Sequence, residues 1–195
     1  MLPVPLIRKL LRPGNLVTTS GLLVLGCFLW LKGTGRNPGP WIMAALYFYG
    51  YALSDILDGA VSRWTGTNDR FGELYDLTAD RIKDNALTFA VLMWAPAWAW
   101  YMLPFMVLKL APEVLWSRTI GARNHKQAAD TSFSRIYTLF HNYIVLVIYT
   151  GTKTAFFGMV LLGFDIPVIA YLFLGLITTR FLSVFEFLAH LARSE

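Results

Sequence analysis

SDILDGAVSRWTGTNDRFGELYDLTAD, residues 54–80, carries five aspartates, one glutamate and two arginines inside a chain that is otherwise strongly apolar. Asp55 and Asp58 are three apart and Asp76 and Asp80 four apart, so each pair occupies one face of a helix. Gly72 extends the second face by one turn. The stretch WTGTND (64–69) is a short polar turn. The two flanking helices therefore read as an antiparallel hairpin with four carboxylates converging between them.

The surroundings of this stretch set the fold class. The 195 residues are 56% hydrophobic and 15% charged, with a mean hydropathy of +0.51. Windows 13–31, 37–54, 85–108, 136–152 and 166–179 hold no Asp, Glu, Lys or Arg. A bilayer core takes roughly 20 apolar helical residues to cross, and several windows approach that length with their flanks. The expectation is an all-α polytopic membrane protein forming a single domain over 1–195. Six transmembrane helices are predicted near 16–32, 41–63, 70–94, 98–117, 132–150 and 167–190. Ahead of them, LIRKLLR sets Leu6, Ile7 and Leu10 opposite Arg8, Lys9 and Arg12, which predicts a short amphipathic helix in the interface. The apolar stretch 151–166 is short for a span and reads as re-entrant or interfacial.

Charge placement gives orientation. With six spans, both termini share a side with the 64–69 turn and the 117–130 loop. That side carries Arg8, Lys9, Arg12, Arg63, Arg70, Arg118, Arg123, Lys126, Arg135 and Arg193; the other has Lys32, Arg36 and Lys153. This positive-inside bias puts the acidic stretch at the cytoplasmic face. A net charge of +5 suits anionic lipid surfaces. Nucleic-acid binding is excluded, because the basic residues do not gather on one soluble face. The single Cys27 allows neither an internal disulfide nor a cysteine metal site. No cleavable signal peptide is expected from the polar start MLPVPLIRKLLRPGN.

Acids at membrane depth need partners. Hard oxygen donors without Cys or a nearby His suit Mg²⁺, Mn²⁺ or Ca²⁺. Four carboxylates can hold two such ions, and two metals roughly 3.5–4 Å apart can clamp a phosphate for in-line displacement. Gly59 and Gly72 either let a ligand approach the backbone or let helices pack closely. Arg63, two turns beyond Asp55, favours a phosphate-bearing ligand.

These residues resemble the CDP-alcohol phosphatidyltransferases, whose motif reads D-x2-D-G-x2-A-R-x8-G-x3-D-x3-D. It falls on Asp55, Asp58, Gly59, Ser62, Arg63, Gly72, Asp76 and Asp80 with every spacing kept. Ser62 departs from the usual alanine. The resemblance implies that Asp55, Asp58, Asp76 and Asp80 bind two divalent cations, with Mg²⁺ the first choice and Mn²⁺ the second. It implies that Asp80 is also the general base on the acceptor hydroxyl, and that Gly59, Ser62, Arg63 and Gly72 line the CDP pocket. The reaction implied is transfer of a phosphatidyl group from CDP-diacylglycerol to an alcohol, with release of CMP. Homodimerisation is implied by the resemblance alone, as is a place in a bacterial inner or plasma membrane.

Two further stretches bear on substrates. GNLVTTSG carries Asn15, Thr18 and Gly21, where relatives often show N-x-x-T. Asn15 and Thr18 are thus candidates for nucleotide contact, or else for helix capping and packing. SRIYTLFH (134–141) resembles G-K-x-K-T-x-x-Q, seen in some glycerophosphate-using members, in Arg135 and Thr138 but not in Tyr137 or His141. Arg118, Arg123, Lys126 and Arg135 are candidate contacts for a phosphorylated acceptor, or ordinary loop charge. Glycerol 3-phosphate is the first choice of acceptor, inositol phosphate the second, serine or another alcohol the third. Asp69, Glu73 and Asp84 lie outside the motif and read as a wetted turn or helix ends. The competing class is a divalent-cation transporter, which would want the acids but gives no role to Arg63 beside them.

Overall fold

The computed structural model describes residues 4–67, 69–102, 105–106, 143–164 and 166–194. Every regular element among them is helical. The chain forms two compact units, Met1–Ala90 and Val91–Glu195.

The first unit opens with α1 (Val4–Leu10) and α2 (Pro13–Gly33). Pro13 stands in the first turn of α2, where a missing N–H costs nothing. α3 (Pro40–Phe48) runs without a break through a single wide π turn (Tyr49–Leu53) into α4 (Ser54–Trp64). The residues at both joints keep right-handed helical angles, so residues 40–64 form one helix with a local widening. Such a widening, common at functional sites, falls immediately before Ser54 and Asp55. α4 ends where Thr67 N–H bonds the Ser62 carbonyl at 3.1 Å and Gly66 takes φ +63°. That left-handed residue reverses the chain within a few positions. α5 (Arg70–Trp94) then starts under the cap of Asp69, whose Oδ1 accepts from Gly72 N–H at 2.9 Å.

α2 lies tightly on the 40–64 helix through small residues. A Cβ on Gly50 would stand 2.6 Å from the Leu25 backbone nitrogen. Cβ atoms on Gly21 and Gly14 would overlap the hydroxyls of Ser54 and Ser62. Helices that pack this closely need glycine at the crossing. Beside it, the rings of Phe28, Tyr47 and Tyr51 follow one another at 5.6 and 5.8 Å between centroids. Hydroxyl pairs tie α2 to both neighbours: Ser20 with Tyr49 of the π turn at 2.8 Å and Thr19 with Tyr75 of α5 at 2.7 Å.

The second unit contains a 3-10 turn (Pro96–Trp98), α6 (Tyr143–Leu162) and α7 (Pro167–Ser194). Its core is aromatic: Phe156 stacks on Phe173 at 4.5 Å, and Phe105 and Phe157 meet edge to face at 5.8 Å. Each such pair adds about 0.5–1.5 kcal/mol beyond its buried area.

The first unit buries polar as well as apolar residues and exposes large apolar ones. Asn15, Thr18, Ser54, Asp58, Lys83, Asp84 and Thr88 are buried with Leu25, Phe28 and Leu87, while Leu23, Trp41, Ile56 and Phe89 are exposed. An exposed apolar surface of this kind faces lipid or a partner.

The helices at 16–32, 41–63, 70–94 and 167–190 occur close to their expected bounds, whereas most of the expected 98–117 span lies outside the described residues. Six membrane spans do not follow from this. Among the described residues, α2 is the one helix long and apolar enough to cross a bilayer. α6 and α7 contain shorter apolar runs, Val147–Leu162 and Pro167–Thr179. α6 also corrects the expected helix end at 150. Gly151 weakens a helix by about 1 kcal/mol, but Phe156, Phe157, Met159 and Leu161 beyond it are buried and carry the helix on to 162.

Candidate active site

α4 and α5 bring three carboxylates together. Single ligand atoms of Asp55, Asp76 and Asp80 all lie within 4.8 Å of one another. Asp58 is buried beside them and accepts a hydrogen bond from Thr18 Oγ1 at 2.6 Å. Thr18 Oγ1 also lies 3.2 Å from the Gly14 carbonyl. A hydroxyl has one proton, so the shorter contact to a charged acceptor takes it.

The carboxylates of Asp58, Asp80 and Asp55 all repel that of Asp76. Asp76 Oδ1 is buried with no hydrogen-bond partner among the described residues. Like charges this close, with one buried oxygen lacking a donor, fit divalent cations: a cation supplies both the missing partner and the opposing charge. The donor set is all oxygen, which suits Mg²⁺ or Mn²⁺.

Arg63 folds back over Gly59, so that a Cβ there would lie 3.2 Å from Nη1. Asn15 donates through Nδ2 to the Lys9 carbonyl at 2.8 Å. Its Oδ1 faces Gly72, where a Cβ would stand 3.7 Å from that oxygen and 3.5 Å from Asp69 Oδ1. Ser62 turns its hydroxyl to Gly14 of α2. The extra oxygen relative to alanine is accommodated by the bare backbone opposite it. Arg118, Arg123, Lys126 and Arg135, with Tyr137, Thr138 and His141, lie outside the described residues.

Asp69 fills the helix-end role. Besides capping α5 it pairs with Arg12, whose Nη1 lies 2.5 Å from its Oδ2. The Gly72 N–H and the Arg12 guanidinium hold the Asp69 carboxyl below its ordinary range. Lys9 sits over the Phe71 ring at 5.4 Å, so the segment leading into α2 is tied to the start of α5.

Asp84 departs from the sequence reading. It is buried, not a wetted helix end, and accepts a hydrogen bond from Tyr51 of the π turn. Buried Lys83 beside it was also missed. Its Nζ donates to Ser54 Oγ at 3.1 Å and lies 3.7 Å from Asp80 Oδ1. The available signal was spacing: Lys83 and Asp84 follow Asp80 by three and four residues, the same face of one helix.

The family model for CDP-alcohol phosphatidyltransferase matches residues 12–170. The chain belongs to the CDP-alcohol phosphatidyltransferase family. Its curated relatives include the phosphatidylinositol phosphate synthase of Corynebacterium glutamicum, 36% identical over 89 residues, which are 46% of this chain and 39% of that protein. The protein of the same name from Mycobacterium tuberculosis is 36% identical over 92 residues, covering 46% of this chain and 42% of that one. That from Mycobacteroides abscessus is 32% identical over 106 residues, 54% and 48%. The chain thus aligns with less than half the length of each of these relatives. No solved structure matches it at a significant level.

Proposed function

We propose that the protein transfers a phosphatidyl group from CDP-diacylglycerol to an inositol phosphate and releases CMP. The observation that carries this reading is the closure of Asp55, Asp76 and Asp80 to within 4.8 Å inside the region that matches the family. The relatives' name moves inositol phosphate ahead of glycerol 3-phosphate as the acceptor. Family membership likewise favours group transfer over cation transport.

Asp55, Asp58, Asp76 and Asp80 would hold two divalent cations, Mg²⁺ or Mn²⁺. Bound there, such ions neutralise the diphosphate and the charge that builds on its oxygens. Thr18 fixes Asp58 for this role. Arg63, exposed above Gly59, offers a guanidinium to the diphosphate, and Gly72 leaves backbone bare beside Asn15 for the nucleotide. Asp80 keeps 42% of its side chain exposed. There it takes the proton from the acceptor hydroxyl as that oxygen bonds to the lipid-side phosphorus and the bond to CMP breaks. Arg118, Arg123, Lys126 and Arg135 are proposed acceptor contacts on the strength of sequence alone.

The large exposed apolar residues of the first unit and the apolar α2 support an integral membrane protein. Six spans, a cytoplasmic site and a dimer complete the proposal. The family match across 12–170, which runs through both units, supports one catalytic domain. Purified protein in detergent, given Mg²⁺ and labelled CDP-diacylglycerol, is expected to release CMP with inositol phosphate and not with glycerol 3-phosphate. Release with glycerol 3-phosphate alone overturns the acceptor, and no release with any alcohol overturns the activity.

A further inference from the structure

We propose that Lys83 is a positioning residue for Asp80, acting together with Ser54; this rests on the reading of Asp80 as the base. Lys83 is fully buried, and so is Ser54. An ammonium removed from water is retained only where charge and hydrogen bonds offset its desolvation. Here both are present. Ser54 Oγ accepts from Lys83 Nζ at 3.1 Å and donates its own proton to the Gly50 carbonyl at 3.3 Å. Asp80 Oδ1 lies 3.7 Å from the same nitrogen.

The two distances differ in kind. At 3.1 Å the serine contact is a hydrogen bond that fixes where the ammonium sits. At 3.7 Å the carboxylate contact is an ion pair too long for a hydrogen bond. Lys83 therefore attracts one oxygen of Asp80 without donating to it. The carboxylate is oriented, while 42% of the Asp80 side chain stays exposed.

Lys83 also bridges the two halves of the site. Ser54 adjoins Asp55 on α4, and Lys83 stands on the same face of α5 as Asp80. The Tyr51–Asp84 hydrogen bond lies next to this bridge and ties α5 to the π turn. Rotation of α5 against α4 would separate Lys83 from Ser54 and move Asp80 out of the carboxylate cluster.

The test uses the full chain in detergent, with Lys83→Met, Ser54→Ala and Asp80→Asn compared with the parent for CMP release and for CDP affinity. Lys83→Met keeps the stem and removes the charge. It is expected to lower kcat at least about tenfold, since a placed general base is worth roughly 10²–10⁴. KM for CDP-diacylglycerol and CDP affinity are expected to stay near parent values, a split that marks lost transition-state positioning and not lost binding. Ser54→Ala is expected to lower kcat in the same way but less, and it decides the matter if Lys83→Met does not fold. Parent kcat in the folded Lys83→Met protein, or in Ser54→Ala when it alone folds, overturns the proposal. So does a loss confined to KM or to CDP affinity. Asp80→Asn separates the two failures: if it is inactive while Lys83→Met is normal, only the positioning role falls. If Asp80→Asn itself turns over normally, the base assignment falls and takes the positioning role with it.

Discussion

Alanine at Gly72 and alanine at Gly50 are the same chemical change with opposite expected signatures. At Gly72 the new Cβ meets Asp69 Oδ1 at 3.5 Å and Asn15 Oδ1 at 3.7 Å, which is ordinary van der Waals contact. The protein itself has room for the methyl group, and glycine-to-alanine in a helix gains up to about 1 kcal/mol. Gly72→Ala should therefore melt no lower than the parent. A nucleotide lying against that backbone loses its space. Forcing a methyl group into a filled contact costs about 1–3 kcal/mol, which corresponds to a fall in CDP affinity of roughly five- to 150-fold. At Gly50 the Cβ would stand 2.6 Å from the nitrogen and 2.9 Å from the Cα of Leu25, and backbone cannot swing aside. Gly50→Ala should lower the melting temperature, by roughly 2–4 °C for each kcal/mol of strain in a chain of this size. Thermal unfolding and CDP titration of both purified variants make the comparison. Parent-like CDP affinity in Gly72→Ala would refute the argument that the nucleotide approaches this backbone.

Thr18→Val removes the hydroxyl that donates to buried Asp58 at 2.6 Å. Leaving a buried acceptor short of its donor costs about 1–3 kcal/mol, so the Mg²⁺ concentration for half-maximal CMP release should rise while Thr18→Ser restores it; an unchanged requirement removes Thr18 from this role. Chelation by EDTA should abolish CMP release and added Mg²⁺ should return it, with helical circular dichroism unchanged throughout; turnover that survives chelation counts against the cation reading. Asp69 is held below its ordinary value of 3.8 in the folded chain, so its ionised form adds stability at neutral pH and that gain disappears as the pH falls through the lowered value. Arg12→Gln should then depress the melting temperature near neutral pH and have little effect at strongly acid pH; a difference that persists in acid would mean that Arg12 acts by packing and not by charge.

Most helix bounds in the first unit were legible because their signals are local. Pro13, Pro40 and Asp69 mark starts, and Gly66 marks the reversal between α4 and α5. The placement of Asp55 with Asp58 and of Asp76 with Asp80 on common faces follows from spacing along one helix. The end of α6 was misread because 151–166 is too short to read as a span by itself, whereas the burial of Phe156 and Phe157 that continues the helix comes from partners such as Phe173. Asp84 and Lys83 were misread or missed for the same reason. A charge on an amphipathic helix reads as solvated until an opposing Tyr51 or Ser54 is brought against it.

The sequence by itself therefore determined the helical class, the family motif and the hairpin that carries the four aspartates, since these depend on spacing within a few turns. Only the tertiary structure decided how the acids divide: Asp55, Asp76 and Asp80 within reach of one cation, Asp58 held by Thr18 from a third helix. It also turned Ser62 toward Gly14, and set Lys83 between Ser54 and Asp80. Those pairings join residues as distant in the chain as Gly14 and Ser62. They depend on how closely α2 crosses the 40–64 helix and on how α5 is turned against it. Side-chain periodicity specifies which face of a helix is buried, but not which atom of the neighbouring helix that face will meet.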